Sequence, residues 1–275
     1  MGADKHTGDL RGHVVLRMCG KAANPLITQM AARLARAFHG ELRGLFVEDE
    51  DLLALAALPF AAEISLSGGR ARALSVDMIE REMRHAGTLM QRLFSELEQT
   101  AKISARLETI RCSAREALGR VGGQMGILVL GEPLRASGEQ ILSPITDLAG
   151  VLMMGPNVKS STGPIAVLLE PGAQVAHLVD TAERIAADSD NQLLIVIAAA
   201  GTAEAGDLEQ ASLGALDVGT RYKLEHIAAA DAIPSRIRQH HAGLLVTRLG
   251  SSLTRDLPQA ARIARLLECP LLSLR

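Results

Sequence analysis

The residues best suited to chemistry lie in two short stretches, each an apolar run closed by a glycine. In "ILVLGEPLRASGE" (127–139) the run ends at Gly131 and is followed by Arg135, Ser137 and Gly138. In "GLLVTRLGSSLTRD" (243–256) it ends at Gly250, with Arg248 before it and Ser251, Ser252, Thr254 and Arg255 after it. A buried strand, a glycine, small polar residues and then a helix can present backbone N–H groups and a helix N-terminus to an anion. Both stretches are therefore candidate ligand-binding turns. Each also has a plainer explanation, a helix start capped by Ser, Thr or Gly with its arginine in solvent. The second stretch is the better candidate, because it is polar, basic and free of the proline that stands at 133 in the first.

Other reactive side chains are scattered. The run Glu48-Asp49-Glu50-Asp51 has the charge to hold a cation, but it also suits the first turn of a helix, where carboxylates complement the helix dipole. His240 and His241 are adjacent, so on a helix they point about 100° apart and chelate poorly. They are expected to complement a helix C-terminus. Cys19 closes an apolar run and reads as a buried thiol. The chain has no GxSxG elbow, no HExxH, no lysine-bearing phosphate loop and no paired carboxylates at a telling spacing. Neither an enzyme nor a metal site is expected.

With 275 residues, 48% of them hydrophobic, the chain can build one large or two ordinary cores. Trp is absent and there are only one Tyr and four Phe, so packing must rest on Leu, Ile, Val, Ala and Met. A net charge of −2 with no basic block disfavours nucleic acid as a partner. The apolar stretch "LLALAALPFAA" (52–62) is too short to span a membrane and contains Pro59, and the N-terminus lacks the apolar core of a signal peptide. The three cysteines, Cys19, Cys112 and Cys269, are widely spaced, which suits reduced thiols and a cytoplasmic location.

The elements that must position these residues alternate along the chain. Strands are expected at 13–18, 42–47, 103–111, 126–131 and 150–155, with helices at 25–40, 76–101, from Ser113, and near 139–149. After the linker "PNVKSST" (156–162) the order begins again. Strands fall at 164–170, 192–200, 221–228, 243–250 and 270–274, and helices at 173–188, near 203–213, within 231–242 and at 255–267. The interval from Gly131 to Gly150 equals that from Gly250 to Cys269. Only the segment 48–75 is extra in the first half. The order implies a tandem duplication with parallel strands and right-handed crossovers. The apolar "LLALAALPFAAEI" (52–64) is expected to cover the first-half cleft or to join an interface between chains.

The repeat, together with "LRGLFVEDEDLLALAALPFAAEI" (42–64), "GILVLG", "GLLVTRLG" and "LLECPLLSLR" (266–275), resembles a tandem universal stress protein. The resemblance implies two domains, 1–155 and 163–275, each a five-stranded doubly wound parallel sheet with helices on both faces. It also implies an adenine-nucleotide site marked by glycine, two residues, glycine, nine residues, then glycine with Ser or Thr. This chain departs from that pattern. Leu134 and Leu253 stand where the second glycine is expected, and Ile263 and Ala264 replace the final glycine and hydroxyl. At the end of strand one, Glu170, two residues before Gly172, can stand in for the family's acidic residue; Cys19 cannot. The resemblance and these departures together imply a non-catalytic module with a degenerate site, acting in stress response through dimerisation or a protein partner. No cofactor is expected and ATP is disfavoured. The alternative is a nucleotide-binding member with a remodelled site and at most slow ATP hydrolysis.

Overall fold

Every residue of Ile165–Leu169 is buried, as expected of a strand covered on both faces. The side chains of Ile165, Val167 and Leu169 enter one core, and those of Ala166 and Leu168 enter another on the opposite face. That strand sits inside a single large sheet. The computed structural model describes residues 14–19, 25–64, 71–113, 116–117, 126–131, 148–158, 161–228 and 230–275.

The strands are β1 (Val14–Cys19), β2 (Leu42–Asp49), β3 (Ala62–Glu63), β4 (Arg72–Ala73), β5 (Ala105–Cys112), β6 (Ile127–Leu130), β7 (Gly150–Met153), β8 (Ile165–Leu169), β9 (Leu193–Ala198), β10 (Tyr222–Ile227), β11 (Leu244–Arg248) and β12 (Leu271–Leu274). Ten of them form one sheet in the order β10-β9-β8-β11-β12-β7-β6-β1-β2-β5. Each half thus runs third, second, first, fourth and fifth strand, and every pairing within a half is parallel. The five-stranded parallel sheets expected from the sequence are present as two halves of one continuous sheet. They join through β7 and β12, which pair antiparallel with Val151 opposite Ser273 and Leu152 opposite Leu272.

Helices cover both faces. One face carries α1 (Pro25–Ala37), α3 (Val76–Ala101), α4 (Val175–Ala187) and α5 (Thr202–Ala215); the other carries α6 (Ile233–Gln239) and α7 (Leu257–Leu266) among the described residues. Helix α3 lies against β2 because Gly44 has no side chain. A Cβ there would stand 2.4 Å from the Phe94 ring. Ser75 caps α3, its Oγ accepting from the Met78 N–H at 3.3 Å.

The halves are also tied through α1 and α4. The guanidinium of Arg33, almost fully buried, donates to the Ile185 carbonyl at 2.9 Å and to Ser189 Oγ, satisfying acceptors at the C-terminal end of α4. Burial lowers the pKa of Arg33. Arg36 grips Asp188 with two bonds of 2.9 Å, and the hydrogen bond to that carboxylate raises its pKa. At the seam itself, Gly155 lies flat against α7, and Asn157 Nδ2 donates to the Arg265 carbonyl at 2.7 Å.

The extra segment of the first half is structured. Helix α2 (Glu50–Ala56) follows β2 without a gap, capped by Asp49, whose carboxylate accepts from the Asp51 N–H at 3.0 Å. Ala56 packs on Ile79 and Met83 of α3, and β3 and β4 form a small antiparallel hairpin. Expected to cover the first-half cleft or to join an interface between chains, the segment buries Ala56 and packs Leu52 and Leu53 partly on α3 but leaves other apolar side chains uncovered within the chain. Leu55, Leu58 and Ile64 are exposed, and Phe60 is 80% exposed. The short α2 has one apolar face, spent on α3, and the remaining apolar residues of "LLALAALPFAAEI" point elsewhere.

Candidate functional site

The crevice of an open α/β sheet lies at the carboxyl ends of the strands where the strand order reverses. In the second half that point is between β8 and β11. β8 is a continuous apolar run, β11 opens with the apolar Leu244-Leu245-Val246 and closes on Thr247 and Arg248, and the turns that follow them meet.

After β8 the chain turns through Glu170-Pro171-Gly172. Gly172 has φ +77°, a left-handed conformation that glycine adopts without strain, and the Ala173 N–H closes the turn on the Glu170 carbonyl at 3.0 Å. After β11 the chain turns at Gly250, φ +92°, whose N–H donates to the Thr254 carbonyl at 2.6 Å. The Ser251 N–H returns to the Arg248 carbonyl at 3.2 Å. These two turns meet through Glu170. Its carboxylate accepts the Ser252 N–H at 2.9 Å and the Ser252 hydroxyl.

The remaining hydroxyls look inward. Ser251 and Thr254 are buried, and their oxygens hydrogen-bond each other at 2.8 Å. Thr247 Oγ1 donates to Ser251 Oγ at 3.2 Å, and Thr254 Oγ1 donates to the Arg248 carbonyl at 2.7 Å. Leu253 is buried in the core beneath α7, together with Leu257 and Ala264. Arg248 is half-buried and Arg255 exposed. The turn is thus a folded knot of internal hydrogen bonds rather than an open cradle.

The structure therefore gathers Glu170, Gly172, Arg248, Gly250, Ser251, Ser252 and Thr254 at one crevice. Gly131, at the end of β6, occupies the corresponding place in the first half and abuts Ile27 of α1. Arg135, Ser137 and Gly138 lie outside the described residues. The helix start after the second turn is capped by Asp256, not by Ser or Thr as expected; its Oδ1 accepts from the Gln259 N–H at 2.7 Å. The signal in the sequence was a carboxylate placed just ahead of a proline in the first turn. Thr247 and Gln259 also escaped the sequence pattern. Thr247 sits inside an apolar strand, and Gln259 reaches back to the Ser252 carbonyl at 3.1 Å only because α7 folds under the turn.

The other reactive groups are engaged elsewhere. Glu48 and Glu80 share Arg111, at 3.0 and 3.3 Å. His240, just after α6, contacts Glu225 of β10, while His241 takes the left-handed turn beyond it at φ +48°. Burial pushes the Cys269 thiol up to about 12, so it stays protonated. Among the described residues no three His, Cys, Asp or Glu side chains cluster to hold a metal ion, and no helix is long and apolar enough to cross a membrane.

By sequence the chain matches no known family and no curated protein. By structure it is similar to several solved proteins along nearly its whole length. A universal stress protein from Archaeoglobus fulgidus DSM 4304 superposes with a TM-score of 0.61 at 13% identity, over 96% of each chain. A putative universal stress protein from Pseudomonas aeruginosa UCBPP-PA14 gives 0.57 at 15% identity, over 95% of this chain and 92% of that one. The cytoplasmic domain of a prokaryotic cation chloride cotransporter gives 0.55 at 13% identity, over 95% and 94%. The chain has the fold of these proteins.

Proposed function

We propose that this protein is a tandem universal stress protein, with domains at 1–155 and 163–275, in which the nucleotide site is degenerate. On this reading it is not an enzyme, and it acts in the cytoplasm through a protein partner or a second copy of itself. One observation carries the reading. In the turn after β11, the N–H groups of Gly250, Ser251, Ser252 and Thr254 are all spent on acceptors within the chain. A phosphate needs such donors pointing outward, and losing several charge-assisted bonds of roughly 1.5–3 kcal/mol each removes useful affinity.

The outer edges of the sheet say where a partner is unsuited to dock. Strand β5 exposes Arg106, Glu108 and Arg111, and β10 exposes Lys223 and His226. Charges along an edge discourage strand addition, so the reading favours a partner on the helical or loop surfaces.

Calorimetry with ATP and magnesium tests the reading. The expected result is no heat of binding at micromolar nucleotide. Micromolar binding that is abolished by bulky substitutions at Ser251 and Ser252 overturns it in favour of a nucleotide-binding protein with a remodelled site.

A further inference from the structure

Glu170 and Ser252 are 82 positions apart in the chain, yet they close on each other directly across the point where the strand order reverses. Their contact has the chemistry of anion recognition: a carboxylate receives one backbone N–H and one hydroxyl from a glycine-led turn. Glu170 is aimed there by its own backbone, since the left-handed Gly172 turns the chain back and leaves the preceding carboxylate over the crevice. We propose that Glu170 is a built-in anion, a clasp that takes the outward donors of the 250–254 turn and holds the crevice shut against small oxyanions. The inference rests on the degenerate-site reading and adds its cause in the second half: the crevice lacks a ligand because the chain itself supplies one.

The surrounding bonds make the clasp a discrete element. Gly250, Ser251 and Thr254 are tied within the turn whether or not Glu170 is present, so only the Ser252 N–H and Oγ change partner when the clasp opens. Gln259 holds the Ser252 carbonyl from below and keeps the turn in place. Removing the carboxylate therefore exposes two preorganised donors rather than unfolding the loop.

Inorganic phosphate, titrated into isotope-labelled protein and followed at the amides of 250–254, tests this. Glu170→Ala is expected to bind phosphate about tenfold or more tightly than the unaltered chain, with the Ser252 amide shifting most. Glu170→Gln, which keeps the volume and loses the charge, is expected to fall between the two and serves if the alanine variant does not fold. Hydrogen exchange at Ser252 is expected to quicken in both. Phosphate affinity unchanged in both variants, or tight phosphate binding at Ser252 with Glu170 intact, overturns the clasp. Micromolar ATP binding by the unaltered chain instead overturns the degenerate-site reading, so the two failures are distinct.

Discussion

The two halves of the sheet share strand order and differ at the ends of corresponding strands. In the second half β8 ends at Glu170, and the residues after β11 are Gly250-Ser251-Ser252. In the first half β1 ends at Cys19, and the residues after β6 are Gly131-Glu132-Pro133. The clasp needs a carboxylate on one strand and an N–H on the other. The first half has a thiol in one place and, at 133, a proline that lacks the N–H. Backbone order is therefore set by the alternation of apolar strands and amphipathic helices, which both halves keep. The chemistry on offer differs because the sequence places different residues at these corresponding positions. The halves differ again after their second strands, where β2 runs into α2 and the hairpin while β9 leads directly to α5.

The seam between the halves gives the largest test of how far they depend on each other. Cys269, just before β12, keeps its proton in the folded chain because burial raises its pKa from 9.0 to about 12. The unfolded chain releases that proton near its ordinary value. Stability from this group is therefore full below pH 9 and lost as pH rises toward 12, by about 4 kcal/mol. Urea unfolding across that range is expected to show the decline, and Cys269→Ala to flatten it. From the first-half side, Gly155→Ala places a Cβ 2.1 Å from the Ala264 carbonyl oxygen, and backbone cannot yield as a side chain does. A cost of about 3 kcal/mol is expected. A variant as stable as the parent would show that β7 and β12 are loosely joined.

Arg33→Ala sharpens the same comparison away from the sheet. It removes the donors to Ile185 and Ser189 and is expected to cost about 2 kcal/mol, splitting urea unfolding into two transitions if α1 and α4 couple the halves. The caps give the smallest pair of effects. Ser75→Ala is expected to cost about 1 kcal/mol, whereas Gly201, which caps α5 without a side chain, is expected to return a few tenths as Gly201→Ser. Thermal melts check both, and equal responses in the two helices would erase the contrast between the halves.

Much of the fold was legible because its signals are local. The apolar runs "ILVL", "IAVLL" and "LLVTR" are strands near their expected places, and the periodic apolar positions Ile79, Met83, Ala86 and Met90 are the buried face of α3. Of the run Glu48–Asp51, read as an acidic first turn, only Glu50 and Asp51 take that place; Asp49 is the cap and Glu48 stays in β2 beside Arg111. Which surface meets "LLALAALPFAAEI" was not legible, since a count of apolar residues does not say which neighbour covers them. The candidate residues of the second turn are neighbours in the sequence, but what each hydroxyl touches was beyond it. Ser251 and Ser252 are adjacent and chemically identical, yet one is buried against Thr247 and Thr254 and the other faces Glu170.

By itself the sequence determined the alternation of elements, their recurring order, the parallel strands and the absence of a glycine-rich phosphate pattern, because hydrophobic period and backbone chemistry act over a few residues. Only the tertiary structure decided that the halves merge into one sheet through antiparallel β7 and β12, that Arg33 and Arg36 bind the end of α4, and that Glu170 meets Ser252. Each of those contacts joins residues far apart in the chain. Nothing in the local sequence distinguishes an edge strand that finds its partner from one that faces water, or a carboxylate in solvent from one held by an N–H across a crevice.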